Sequence, residues 1–292
     1  MASDGSLRRF GQVFDGVAAA YDDVRPSYPP ELVAAACERG GLTDGSRVLE
    51  LGCGTGKLTK LLVERGLVVD AVDPGPNMVE AARSRIGSSE RVTFHISTFE
   101  DADLPRGAFA AVFSATAFHW LDPAVSWRKA ASHLEPGGLL ALLTHVGVHD
   151  DRSAEDEFRA AMNKHAPGLA EGWRPSRDLE TILDGVTERR GNASQVWDWV
   201  MGEGRHELVD AGAPDLFEDV QVAAVVWKEE KTADELLAHF RTTSLYFRIG
   251  PEQISAVEAE DRRIVEERGG TIVFSRAAVL LTARQRAGGT VA

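Results

Sequence analysis

Two acids, three alternating glycines and two histidines are the residues whose types and spacing suit small-molecule chemistry. Gly52, Gly54 and Gly56 form a G-x-G-x-G loop preceded by Glu50. Having no Cβ, such a loop turns tightly and lets its backbone approach a ligand closely. Asp73 ends the apolar run Leu67 to Val72, where a parallel α/β sheet sets an acid against the two hydroxyls of a ribose. Together these residues point to an adenosine-containing cofactor. His119 and His145 follow two later apolar runs. Imidazole is the side chain whose ordinary pKa suits proton removal near neutrality, which makes both candidate bases. Each also has a plainer reading, His119 as a positioning residue and His145 as a solvated loop histidine near His149. No H-E-x-x-H pattern or cysteine cluster suggests a metal site.

The elements that must position these residues are legible as alternating strands and helices. Val48, Leu49 and Leu51 form a strand that ends in the glycine turn. Leu58, Leu61 and Leu62 mark the helix after it, and Arg65 and Gly66 close that helix. Pro74 to Asn77 is a turn, Met78 to Ile86 a helix, Val92 to Ile96 a third strand and Phe109 to Phe113 a fourth. A helix over Pro123 to Leu134 starts with proline in a favourable place and leads through Pro136-Gly137-Gly138 to a fifth strand, Leu139 to Leu143. From Asp150 to about Gly212 the alternation stops. This charged, helix-prone stretch carries Trp173, Trp197 and Trp199, and reads as an insertion capping the site. Its tryptophans line an acceptor pocket or form the insertion's own small core. Phe217 to Trp227 and Thr271 to Thr282 are late strands, with helices over Thr232 to Tyr246 and Pro251 to Arg268 between them. The expected plan is a lid over 1–42, a core over 43–149, a cap over 150–212 and completion of the sheet over 213–292.

At 292 residues the chain can bury a sizeable core. Its net charge of −13 argues against a nucleic-acid partner and an anionic membrane surface. Cys37 and Cys53 make no disulfide framework, and no apolar segment is long enough to span a bilayer. A reduced cytoplasm is the expected compartment, and a homodimer is compatible with everything in the sequence.

The loop spacing differs from the dinucleotide fingerprint G-x-G-x-x-G. Glu50-x-Gly52-x-Gly54-x-Gly56, with Val72-Asp73 at the next strand end, resembles the first two motifs of class I S-adenosylmethionine (SAM)-dependent methyltransferases. The L-x-P-G-G-x-L stretch from Leu134 resembles the same family. Phe14-Asp15, Ala18, Tyr21, Arg25-Pro26 and Tyr28-Pro29 resemble the leader of its small-molecule branch, which includes trans-aconitate and natural-product methyltransferases. Ala117 to Asp122, with Trp127, resembles that branch as well. The resemblance covers the chain except for the insertion.

It implies an α/β fold with a seven-stranded, mostly parallel, Rossmann-like sheet whose last strand is antiparallel, plus a helical cap. It implies SAM as cofactor, S-adenosylhomocysteine as product, and a small-molecule methyl acceptor, first an oxygen, with nitrogen or carbon next. The glycines would admit the methionine portion and sugar. Glu50 would reach the cofactor's amino end or order the loop. Met78 would pack on the adenine or serve as plain core. Thr98, Phe99 and Glu100 correspond to the segment beside the adenine, although the family commonly has aspartate at the first position and a small residue at the second. Ser114 lies where a backbone carbonyl faces the cofactor ammonium. Tyr21, Arg25 and Tyr28 would form a lid, with Arg25 pairing a carboxylate of cofactor or substrate, or Asp22 or Asp23 at the surface. A SAM-binding protein without turnover and an NAD or nucleotide-sugar Rossmann enzyme are the alternatives.

Overall fold

The computed structural model describes residues 14–17, 22–148, 152–167, 176–202 and 216–286. Seven strands form one sheet: β1 (Arg47–Leu51), β2 (Val68–Asp73), β3 (Val92–Ile96), β4 (Phe109–Ala115), β5 (Leu134–Val148), β6 (Phe217–Thr232) and β7 (Thr271–Gln285). Their order is β3-β2-β1-β4-β5-β7-β6. The first five pair in parallel, and β7 runs antiparallel to both β5 and β6. This is the sheet that the resemblance implies. Strand order reverses between β1 and β4, so a crevice opens outside their carboxyl ends.

The period of two in the strands sorts the core into two layers. Leu139, Ala141 and Leu143 of β5 face one layer, with Leu32 and Val33 of α1 (Pro30–Gly40), Leu58 and Leu62 of α2 (Lys57–Glu64) and Val79 of α3 (Pro76–Ile86). Leu140 and Leu142 face the other, with Trp127 of α4 (Pro123–His133). The segment between β5 and β6 contains α5 (Arg152–His165), α6 (Leu179–Arg189) and α7 (Ala193–Met201). Val196 and Trp197 of α7 join the second layer. Phe158 of α5 instead packs with Leu236 of α8 (Ala233–Arg241) and Ile264 of α9 (Pro251–Glu267).

The late strands extend further than hydrophobic patterning indicates. β5 continues past Leu143 through Thr144 and His145, which pair with Val279 and Ala278. β6 continues past Trp227 to Thr232, opposite Thr271. Antiparallel ladders tolerate one wet face, so polar residues do not end them. The result is an overhang of β5, β7 and β6 beyond the end of β4, and His145 belongs to it instead of to a following loop. Among the described residues, no helix is long and apolar enough to cross a membrane.

Candidate active site

The three glycines of the loop meet three different surroundings. A Cβ on Gly52 would stand 2.3 Å from that of Ala117, and one on Gly56 would stand 2.9 Å from that of Ala82. These two let the loop pack against the segment after β4 and against α3. Among the described residues nothing lies within 4 Å of such a Cβ on Gly54, and its φ of +52° favours glycine. Asp73 fastens the loop from the end of β2. Its Oδ2 accepts from the Gly54 N–H and its Oδ1 from the Gly75 N–H, each at 2.8 Å. The carboxylate is 9% exposed. Burial pushes its pKa up, and the two N–H groups oppose that rise.

Glu50, at 1% exposure, is the more strained acid. Burial raises its pKa to about 8, with Thr59 opposing the shift and Asp73 adding to it. Its Oε2 has no hydrogen-bond partner among the described residues. A buried carboxylate oxygen without a donor is costly unless a ligand supplies one.

Both acids line a cleft of about 290 Å³ at the carboxyl ends of the strands. The segment before α1 closes one side. Asp15 accepts from the Asn77 and Met78 N–H groups at the start of α3, at 2.8 and 3.1 Å. Asp22 accepts from the Thr55 hydroxyl at 2.7 Å and pairs with Lys57 and Arg85. Arg25 reaches across to Thr242, donating to its hydroxyl at 3.1 Å and its carbonyl at 2.7 Å. Tyr28 shares a 2.7 Å hydrogen bond with the Thr116 hydroxyl. Thr116 has a φ of +52°, a conformation unfavourable for a β-branched residue and frequent at functional sites.

The cleft brings together Arg25, Glu50, Gly52, Gly54, Asp73 and Met78, and His119 and His145 line it too. Gly56, Thr98, Phe99, Glu100 and Ser114 are absent from that lining. The Thr98 hydroxyl donates to Asp101 at 2.8 Å. Phe99 is buried in the second core layer, with Lys129 over its ring. Glu100 accepts from the Asp122 N–H at the start of α4, and Ser114 donates to the Leu51 carbonyl between β4 and β1. Tyr21 and Trp173 lie outside the described residues. Trp197 is core and Trp199 has the guanidinium groups of Arg177 and Arg189 over its ring, while Met201, at the end of α7, reaches the cleft.

The two histidines differ in setting. His119 is buried in the short 3-10 turn Phe118–Trp120, tilted against Trp120 at 4.8 Å between ring centroids. His145 stacks on Tyr28 at 4.7 Å and meets Trp227 edge-on at 5.6 Å. Its Nε2 is buried and has no hydrogen-bond partner among the described residues, and the Ser27 backbone opposes the fall of its pKa. Burial, reinforced by Arg276, lowers its pKa to about 4. Arg276, on β7, also lines the cleft and was not evident from the sequence. A lone arginine inside an apolar strand run was its only signal.

Sheet order, glycine loop and paired strand-end acids define a class I SAM-binding α/β domain. A methyltransferase-domain family profile matches residues 48–138. An uncharacterised methyltransferase from Mycobacterium tuberculosis is 42% identical over 186 residues, covering 62% of this chain and 69% of the relative. A ubiquinone biosynthesis O-methyltransferase of Xanthomonas campestris is 39% identical over 104 residues, covering 34% of this chain and 43% of that protein. Among solved structures, a proposed type II methyltransferase from Anaeromyxobacter dehalogenans superposes with a TM-score of 0.56 at 21% identity, covering 89% of this chain and 97% of that one. The chain belongs to the methyltransferase family and is a SAM-dependent methyltransferase.

Proposed function

We propose that this enzyme transfers the methyl group of SAM to an oxygen of a small molecule. The observation that carries the cofactor half is the buried, unpartnered Oε2 of Glu50 beside the glycine loop that Asp73 fastens. When bound, SAM would supply a methyl group carried on a sulfonium, whose leaving group is a neutral thioether. In this reading Glu50 would accept from the cofactor ammonium, and Asp73 would use its remaining lone pairs for the ribose hydroxyls. Gly54 leaves room for the chain between them, and Met78 covers the adenine. The segment with Asp15, Asp22, Arg25 and Tyr28 acts as a lid.

The acceptor half rests on His145. His145 lines the cleft, and its buried Nε2 has no hydrogen-bond partner among the described residues, which leaves that nitrogen able to accept from a bound hydroxyl. With a pKa of about 4 it stays neutral at physiological pH. Such a weak base suffices here, because a hydroxyl becomes strongly acidic as its oxygen bonds to the methyl carbon. The O-methyltransferase relative, matched over 34% of this chain, is the support for an oxygen acceptor. His119 acts as a positioning residue beside Trp120. A cytoplasmic enzyme and a small-molecule partner belong to the same reading.

Calorimetric titration with S-adenosylhomocysteine tests the cofactor half. Micromolar binding, weakened in Asp73→Ala and with no response to NAD, is the expected result. Binding of NAD in preference, or equal affinity in wild type and Asp73→Ala, would overturn it. Binding without turnover of any acceptor would favour a non-catalytic SAM-binding role.

A further inference from the structure

The half of the cleft away from the glycine loop is basic, in a chain of net charge −13. Arg25 and Arg276 both line it, with Thr243 and Ser244 on the same wall. The ladder register explains how Arg276 arrives there. His145 pairs with Ala278, and Trp227 pairs with Arg276 two residues away, so all four share one face of the overhang. The Arg276 side chain is only 13% exposed.

Its charge is incompletely met. Arg276 Nε lies 3.2 Å from Glu229 Oε2, outside hydrogen-bond geometry, and Nη2 lies 3.2 Å from His239 Nε2. Nη1 takes part in neither contact. Glu229 is itself divided, accepting from Trp227 Nε1 at 2.7 Å and pairing with Lys231 at 3.1 Å. One carboxylate therefore faces Arg276 and Lys231, with Arg25 nearby. The imidazoles alongside respond to this field. His145 is lowered to about 4 and His239 to about 2, by burial first and then by Arg276, with Arg25 contributing to both.

We propose that the methyl acceptor is a small carboxylate-bearing molecule whose carboxylate is held by Arg276 and Arg25 while its reacting oxygen lies at His145 Nε2. A planar guanidinium matches a carboxylate with parallel hydrogen bonds. Phosphate dianions are commonly held by a cradle of backbone N–H groups. Here the Thr242 and Thr243 N–H groups already donate to His239 and Phe240, which favours the carboxylate. The assignment rests on the methyltransferase reading above and adds the acceptor class to it.

The test is calorimetry on wild-type protein saturated with S-adenosylhomocysteine. Benzoate, 4-hydroxybenzoate, 3-hydroxybutyrate and glutarate are titrated beside their amides and beside phenyl phosphate. At least one acid should bind roughly tenfold more tightly than its amide, about 1.4 kcal/mol. That preference should vanish in Arg276→Gln and partly return in Arg276→Lys, with affinity for S-adenosylhomocysteine unchanged. On acid binding, the His145 imidazole pKa read by NMR in the wild type should rise, which needs no variant to fold. No acid preferred over its amide, or tighter binding of phenyl phosphate, overturns the carboxylate assignment while leaving SAM dependence intact. Failure to bind S-adenosylhomocysteine itself would strike the underlying reading instead.

Discussion

The two ends of the cleft are built by different means. The glycine-loop end comes from one continuous β1-α2-β2 unit, with Glu50 and Asp73 separated by a single helix. It is acidic and tightly packed, and each carboxylate is held by its neighbours or awaits a donor. The overhang end draws Arg25, His145, Trp227 and Arg276 from four distant stretches, and it is cationic. A cofactor shared by many enzymes suits the local and rigid construction. An acceptor particular to one enzyme suits an end where each contributing segment varies independently.

The largest expected effect separates the ends by what they control. His145→Ala should lower kcat by about a thousandfold, within the usual range for loss of a proton acceptor, with affinity for S-adenosylhomocysteine unchanged. Because its pKa is about 4, the imidazole of the free enzyme is neutral from pH 5 upward, and this group should produce no acid limb in kcat/KM above pH 5. Equal losses in kcat and cofactor affinity would remove His145 from the chemistry. Asp73→Ala should do the reverse, weakening S-adenosylhomocysteine by several hundredfold, because hydrogen bonds to a charged group contribute about 1.5–3 kcal/mol each. Any acid-over-amide preference at the other end should survive that change. If it does not, the two ends are coupled and the contrast between them fails.

A third comparison lies within the glycine loop. Gly52→Ala should cost about 3 kcal/mol of stability, since its Cβ would overlap Ala117 and overpacking adds to backbone strain. Gly54→Ala faces open space and should cost about 1 kcal/mol, from positive φ alone. Its larger effect should be on cofactor binding, because the added methyl stands in the cleft. Chemical denaturation measures the first difference and calorimetry the second. Equal destabilisation would mean that the loop is not fixed on Ala117 as the geometry shows.

How far each end was legible in the sequence follows from the same contrast. Consecutive residues place Asp73 beside the glycine loop, so motif spacing carries the geometry. The segment after β3 is placed by spacing too, but side-chain direction is not. Apolar Phe99 turns into the core, and Glu100 turns to the unsatisfied N–H at the start of α4. Ser114 falls on a strand position that faces Leu51. At the overhang, patterning ends β5 at Leu143 because Thr144 and His145 are polar. Only the ladder to β7, more than a hundred residues later in the chain, reveals that the strand continues. Thr116 gave no signal, since β-branched residues do not announce a positive φ.

The smallest effect tests why the cofactor end is left unsatisfied in the free protein. Glu50 has its pKa raised from 4.5 to about 8 by burial, so its folded form favours the proton more than the unfolded chain does. Its contribution to stability is therefore fully present below pH 4.5 and is lost as pH rises toward 8. Glu50→Gln removes the titration. It should stabilise the free protein at pH 8, with the gain shrinking to nothing below pH 4.5. Thermal denaturation across that window measures it. The same variant should bind S-adenosylhomocysteine more weakly, because an amide cannot neutralise the ammonium. In the wild type at pH 6–7, binding should release a proton, seen as a dependence of calorimetric heat on buffer ionisation enthalpy that Glu50→Gln abolishes. A variant that is destabilised at pH 8 would show Glu50 to be a structural acid already satisfied by the fold. Stabilisation together with lost affinity would instead identify an acid that the fold tolerates for its ligand.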